Sequence, residues 1–95
     1  MIIEAPYKAN DTISIKTSAG EELVARFVEE NDKIIKVTKP LAIMASQQGV
    51  GLGPWMFTID PQATVTLNKN NVLMIHKTEG SMASQYVQAT TGVTI

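Results

Sequence analysis

Thr12-Ile13-Ser14-Ile15-Lys16, then Ser18-Ala19-Gly20-Glu21, then Leu23-Val24-Ala25-Arg26-Phe27-Val28 decide how this chain is read. In the first run Ile13 and Ile15 fall on one side and Thr12, Ser14 and Lys16 on the other, the period of a half-buried strand. Gly20 supplies the positive φ that a tight turn needs. The third run repeats the alternation, with Leu23, Ala25 and Phe27 opposite Val24, Arg26 and Val28. Two alternating runs joined by a short turn predict an antiparallel pair, because a parallel pair needs a long crossover.

The same grammar continues outward. Asn31-Asp32-Lys33 is a second turn, since short Asx side chains bond their own backbone. Ile34, Ile35 and Val37 open a third strand that runs to about Met44, with Pro40 marking an edge or a bulge. Residues 46–54, Ser-Gln-Gln-Gly-Val-Gly-Leu-Gly-Pro, are rich in breakers and predict a long loop or a hairpin tip. Trp55, Phe57 and Ile59 alternate again, Asp60-Pro61 interrupts, and Ala63, Val65 and Leu67 resume the strand. Asn68-Lys69-Asn70-Asn71 is a tight polar turn into Val72-Leu73-Met74-Ile75, a run without polar alternation that predicts burial on both faces. In the tail, residues 81–89 fit a short helix with Met82, Tyr86 and Ala89 on one side, and residues 90–95 have strand-like content.

The sum is an all-β domain of five strands, a small barrel or sandwich. Ninety-five residues make one domain. Its expected parts are an N-terminal arm over 1–11, a barrel over 12–77 and a C-terminal tail over 78–95. No cysteine is present, so neither disulfides nor thiolate metal sites hold the fold. The start lacks the basic end and long apolar run of a signal peptide. No apolar run approaches the roughly 18 residues of a membrane span. A cytoplasmic protein with no membrane association is the simplest expectation.

Catalysis finds little to work with. One His and no Cys remove most nucleophile–base pairs. Glu21-Glu22 and Glu29-Glu30 are sequence neighbours, so on strands each pair points to opposite faces. Spaced metal ligands are lacking, and no cofactor or metal is expected. Residues 49–54 lack the Lys-Ser/Thr of a phosphate loop. The reading is a binding protein, not an enzyme.

Charge divides along the chain. Residues 1–32 carry a net −4 and residues 33–78 a net +4, within a total of −1. Such a split can produce one acidic and one basic face, or ordinary solvated surface.

Two segments resemble a known family. The run from Ile13 through Gly20, Leu23, Ala25 and Phe27 is similar to the first Sm motif, with Ala25 where the family has glycine. The run from Leu67 to Ile75 is similar to the second Sm motif, with Asn68-Lys69 in place of arginine-glycine. The order of motif, variable segment and motif also matches, and the chain looks most like the divergent Sm-like proteins of phage genomes.

The resemblance implies a strongly bent five-stranded antiparallel barrel that assembles with itself into a ring. Subunits of that family join by their fourth and fifth strands, which here places Val65, Leu67, Val72, Leu73, Met74 and Ile75 at the interface. The uncharged run from Val72 to Ile75 agrees with this on physical grounds, because an exposed edge of that kind is normally paired or covered. A head-to-tail contact closes into a ring when the rotation permits. The alternative is that the C-terminal tail covers this strand within one chain.

In the family the turns after strands two and four hold RNA around a pore. The matching residues are Asn31, Asp32, Lys33, Asn68, Lys69, Asn70 and Asn71. Asn can donate and accept toward base edges, and Lys offers a compact charge to phosphate. The same residue types are what hairpin turns contain anyway. His76 and Lys77 extend the basic surface or merely end a strand. Trp55 and Phe57 either stack bases or pack in the core. Two functions remain open: a ring that binds RNA or single-stranded DNA in nucleic-acid processing or scaffolding, and a ring that binds protein, for example a phage assembly component.

Overall fold

The computed structural model describes residues 7–91. Among these residues six strands form one antiparallel sheet: β1 (Thr12–Thr17), β2 (Glu22–Glu30), β3 (Ile34–Ser46), β4 (Gly49–Pro54), β5 (Thr64–Asn68) and β6 (Val72–Lys77). A 3-10 turn, Lys69–Asn71, joins β5 to β6, and the helix α1 (Gly80–Thr91) follows. The sheet order is β4-β3-β2-β1-β6, with β5 also paired to β3. The expected barrel is therefore an open sheet: among the described strands no pairing links β5 to β6.

Of the fourth strand expected from Trp55 to Leu67 only the end, from Thr64, is a strand, and Gly49–Pro54, outside that expected strand, is a further partner of β3. β5 pairs with the first half of β3, from Ile34 to Thr38, and β4 with the second half, from Leu41 to Ser46. Between those halves lies a bulge. Val24 pairs with Leu41 and Arg26 with Thr38, so Ala25 alone faces both Lys39 and Pro40. Lys39 has φ +51°, and Pro40 has no N–H to offer a ladder. A second irregularity leaves Val28 unmatched between Phe27 and Glu29. Bulges bend and twist the strand that carries them, which lets one long β3 serve two different partners.

The predicted alternation builds the core. Ile13, Ile15, Leu23, Ala25, Phe27, Ile35 and Val37 form one buried cluster. Tyr7, Trp55, Val65, Leu67, Val72 and Ile75 pack around it, half-buried. Each fully buried aliphatic side chain contributes roughly 1.5–3 kcal/mol over exposure. Tyr7 meets Phe27 edge to face, with ring centroids 4.8 Å apart.

Three expectations need correction. Of the long loop or hairpin tip expected over residues 46–54 the hairpin is found, turned by Gln47-Gln48, but Gly49–Pro54 is its returning strand and not loop. Residues 55–59 are not a strand despite their alternation, whereas the expected interruption at Asp60-Pro61 is a turn, closed by the Ala63 amide on the Asp60 carbonyl at 2.9 Å. The 55–63 segment is a loop, in which the Trp55 indole N–H donates to Glu21 at 3.0 Å and the Asp60 carboxylate accepts the Gln62 amide. Burial of Val72–Ile75 on both faces is not found, since Leu73 is 68% and Met74 56% exposed. Among the described residues the tail, 78–91, does not cover those two side chains.

The tail forms the expected helix, slightly longer than residues 81–89. The Glu79 carboxylate accepts the Ser81 and Met82 amides at 3.1 and 2.6 Å and so caps the first turn. The Ser81 hydroxyl also donates to it, and that bond first, then the two amide bonds, hold its carboxyl below the ordinary value. Tyr86 is fully buried and donates its hydroxyl to the Lys39 carbonyl at 2.7 Å, docking α1 on the bend of β3. Burial pushes that phenol up to about 12. Thr90 and Thr91 lie in the helix, and residues 92–95 of the predicted strand-like end lie outside the described residues. No helix among the described residues is long and apolar enough to cross a membrane.

Candidate functional site

The two turns singled out in the sequence meet. Each is first built by its own asparagine. The Asn31 side-chain oxygen accepts the amides of Lys33 and Ile34 at 2.8 and 3.0 Å. The Asn68 side-chain oxygen accepts the Asn70 amide at 2.9 Å and caps the 3-10 turn. Ile34 then pairs with Asn68 in the sheet, and the Lys69 amide donates to the Lys33 carbonyl at 2.9 Å. The far end of the 3-10 turn is fixed as well, because the Ser18 amide donates to the Asn71 carbonyl at 2.8 Å.

Lys69 is engaged. Its ammonium donates to one carboxylate oxygen of Glu30, and the Tyr7 hydroxyl donates to the other at 2.5 Å. Burial alone would raise the Glu30 carboxyl; the hydrogen bonds from Lys69 and then Tyr7, with the Lys69 charge, outweigh it and hold the group below its ordinary value. Burial, then the bond to Glu30, raises the Tyr7 phenol. Glu29 points the other way and pairs with Lys36 at 3.4 Å. The adjacent glutamates do face opposite sides, as the strand period requires.

Of the seven candidate turn residues, Asn31 and Asn68 spend their side-chain oxygens on the backbone and Lys69 pairs with Glu30. Asp32, Lys33, Asn70 and Asn71 are exposed. Lys33 makes no ion pair among the described residues. With Glu30 included the cluster is charge-balanced, which weakens the attraction for a phosphate backbone. Tyr7 and Glu30 were missing from the sequence-derived site. The strand period does give the direction of Glu30, but only the bent sheet brings it to Lys69, 39 residues away.

The expected interface residues divide by orientation. Val65, Leu67, Val72 and Ile75 turn inward onto the core, while Leu73 and Met74 stand exposed. The outer backbone edges of β5 and β6 carry no partner strand within the described residues. The β1–β6 ladder shifts register beside Leu73: Lys16 pairs with Met74 and Thr17 with Val72.

The sequence matches no protein-family model and no curated protein.

Other candidates resolve more simply. Trp55 belongs to the core margin, and Phe57 is 80% exposed on the 55–63 loop. The His76 ring nitrogen Nδ1 lies 2.8 Å from the Lys77 carbonyl at a strand end. Lys77 sits 3.9 Å from Asp11. Among the described residues no cluster of three or more His, Asp or Glu gathers as metal ligands would. A groove of about 240 Å³ lies between the bend of β3 and the end of α1, lined by Pro40, Leu41, Pro54, Met56 and Ile59 among others.

Proposed function

We propose that this chain is a self-assembling, non-catalytic module of the Sm-like kind, whose copies join head to tail, the edge of β5 on one against the edge of β6 on the next. The observation that carries the reading is the outer side of β6, where Leu73 and Met74 are exposed beside an unpaired edge. Such an edge is a template for another strand. Two different edges on one molecule make a heterologous contact, which closes into a ring if the rotation permits. In that assembly the charge-balanced turns repeat around one rim and serve chiefly as a scaffold surface for protein partners.

The chain has no cysteine, so a designed pair tests the contact. Thr66→Cys with Met74→Cys puts thiols on the facing edges. Mild oxidation is expected to give a ladder of covalent multimers on a denaturing gel. Monomer alone, from folded protein, contradicts the pairing.

A second reading is nucleic-acid binding on the same rim, favoured by the Lys69–Lys33 backbone bond that unites the two turns. Exposed Lys33, Asn70 and Asn71 are its contacts. A salt-sensitive gel shift with short oligo-U or single-stranded DNA, lost in Lys33→Glu with Lys69→Glu, supports it. No shift at low salt with any oligonucleotide removes it.

A further inference from the structure

The Tyr7 hydroxyl and the Lys69 ammonium come from two separate parts of the chain and converge on a single carboxylate. A phenol and an ammonium aimed at one point are donors suited to any oxyanion. Lys33 is exposed, and its carbonyl accepts the Lys69 amide. The internal anion is not sealed in: the Lys69 and Glu30 side chains keep 27% and 23% of their exposure. Among Glu30, Asp32, Lys33 and Lys69 the charges cancel, and neutralising Glu30 alone leaves the cluster net positive.

We infer that Tyr7 and Lys69 form an oxyanion site that the chain's own Glu30 occupies, and that a phosphate-bearing ligand competes with Glu30 for it. Glu30 thus acts as an intramolecular competitor. It sets a threshold that only a ligand with several phosphates, or one engaging several subunits at once, overcomes. For an RNA ligand the inference rests on the nucleic-acid reading above; for free phosphate it stands without it.

The test compares wild type, Glu30→Gln and Glu30→Gln with Lys69→Ala. Oligo-U binding is followed by fluorescence anisotropy across salt, and orthophosphate binding by NMR shifts of the residue 7 and 69 amides. Gln keeps an oxygen for Tyr7 and Lys69 but gives up the charge.

Glu30→Gln is expected to bind oligo-U about tenfold more tightly, the weight of one freed charge-assisted contact. Its log–log salt slope should steepen by about 0.7 for the released lysine. The double variant returns to wild-type affinity. A folded Glu30→Gln protein that binds oligo-U and orthophosphate no better than wild type overturns the inference, including where wild type itself binds oligo-U. A gain for orthophosphate without any oligo-U binding upholds the site and removes the RNA reading. If Glu30→Gln does not fold, Glu30→Asp draws the carboxylate back by one methylene; an intermediate gain is expected, and no gain overturns the inference.

Discussion

The main-chain amide of Lys69 donates to the carbonyl of Lys33 over 2.9 Å, and this bond makes one surface of two turns 36 positions apart in the chain. It forms because β5 returns antiparallel along the first half of β3 and ends level with Ile34. The surface is a product of topology. Its residue types alone say little, since Asn, Asp and Lys are common in any hairpin turn.

The asparagines at this surface are expected to act on stability before binding. Asn31→Ala removes two side-chain hydrogen bonds to backbone amides and should cost about 1–2 kcal/mol. Asp32→Ala, at an exposed position, should stay within about 0.5 kcal/mol. Urea denaturation of the two variants checks the difference. Equal effects would mean that the Asn31 cap contributes nothing.

Glu30 makes stability depend on pH in a defined direction. Its carboxyl is held below the ordinary 4.5 in the folded chain. The associated stabilisation is complete above that value and is lost as pH falls through the lower folded one. Urea midpoints at pH 7 and pH 3 should therefore fall further for wild type than for Glu30→Gln. Parallel losses would show that the Glu30 contacts do not contribute.

Much of the sheet was legible because β1, β2 and the start of β3 each bury one face, and burial of one face imposes a period of two. Asn31 and Asn68 were legible as turn residues for a local reason: each side chain reaches its own backbone. The errors have a common source in contacts distant along the chain. Gly49–Pro54 has weak intrinsic strand preference and becomes a strand by pairing with the far half of β3. Residues 55–59 alternate but form no strand; Trp55 instead packs at the core margin and donates its indole N–H to Glu21, 34 positions away. Lys69 read as a free cation because its acidic partner lies 39 positions away. Leu73 and Met74 read as buried, which a second strand along β6 would make true.

Tyr86 ties α1 to the bend of β3. Tyr86→Phe leaves the Lys39 carbonyl with at most a weaker partner and should cost about 1–2 kcal/mol by thermal or urea melting. Ile15→Ala, at the centre of the core, should cost about 2–5 kcal/mol. A Tyr86→Phe protein as stable as wild type would mean that the helix docks by apolar contact alone.

Leu73→Lys separates folding from assembly. The side chain is exposed in the single chain, so the change should leave the subunit's own stability within about 0.5 kcal/mol. Circular dichroism should then report a β-rich protein with a cooperative melt, whereas cross-linking should yield less of every multimer. A loss of fold would instead place Leu73 inside the subunit.

Light scattering on a sizing column measures head-to-tail pairing of β5 and β6 most directly. The mass at tens of micromolar should be a multiple of the 10.3 kDa chain, falling to 10.3 kDa in Leu73→Lys. A wild-type protein that elutes at 10.3 kDa across that range contradicts the assembly and the proposed function with it.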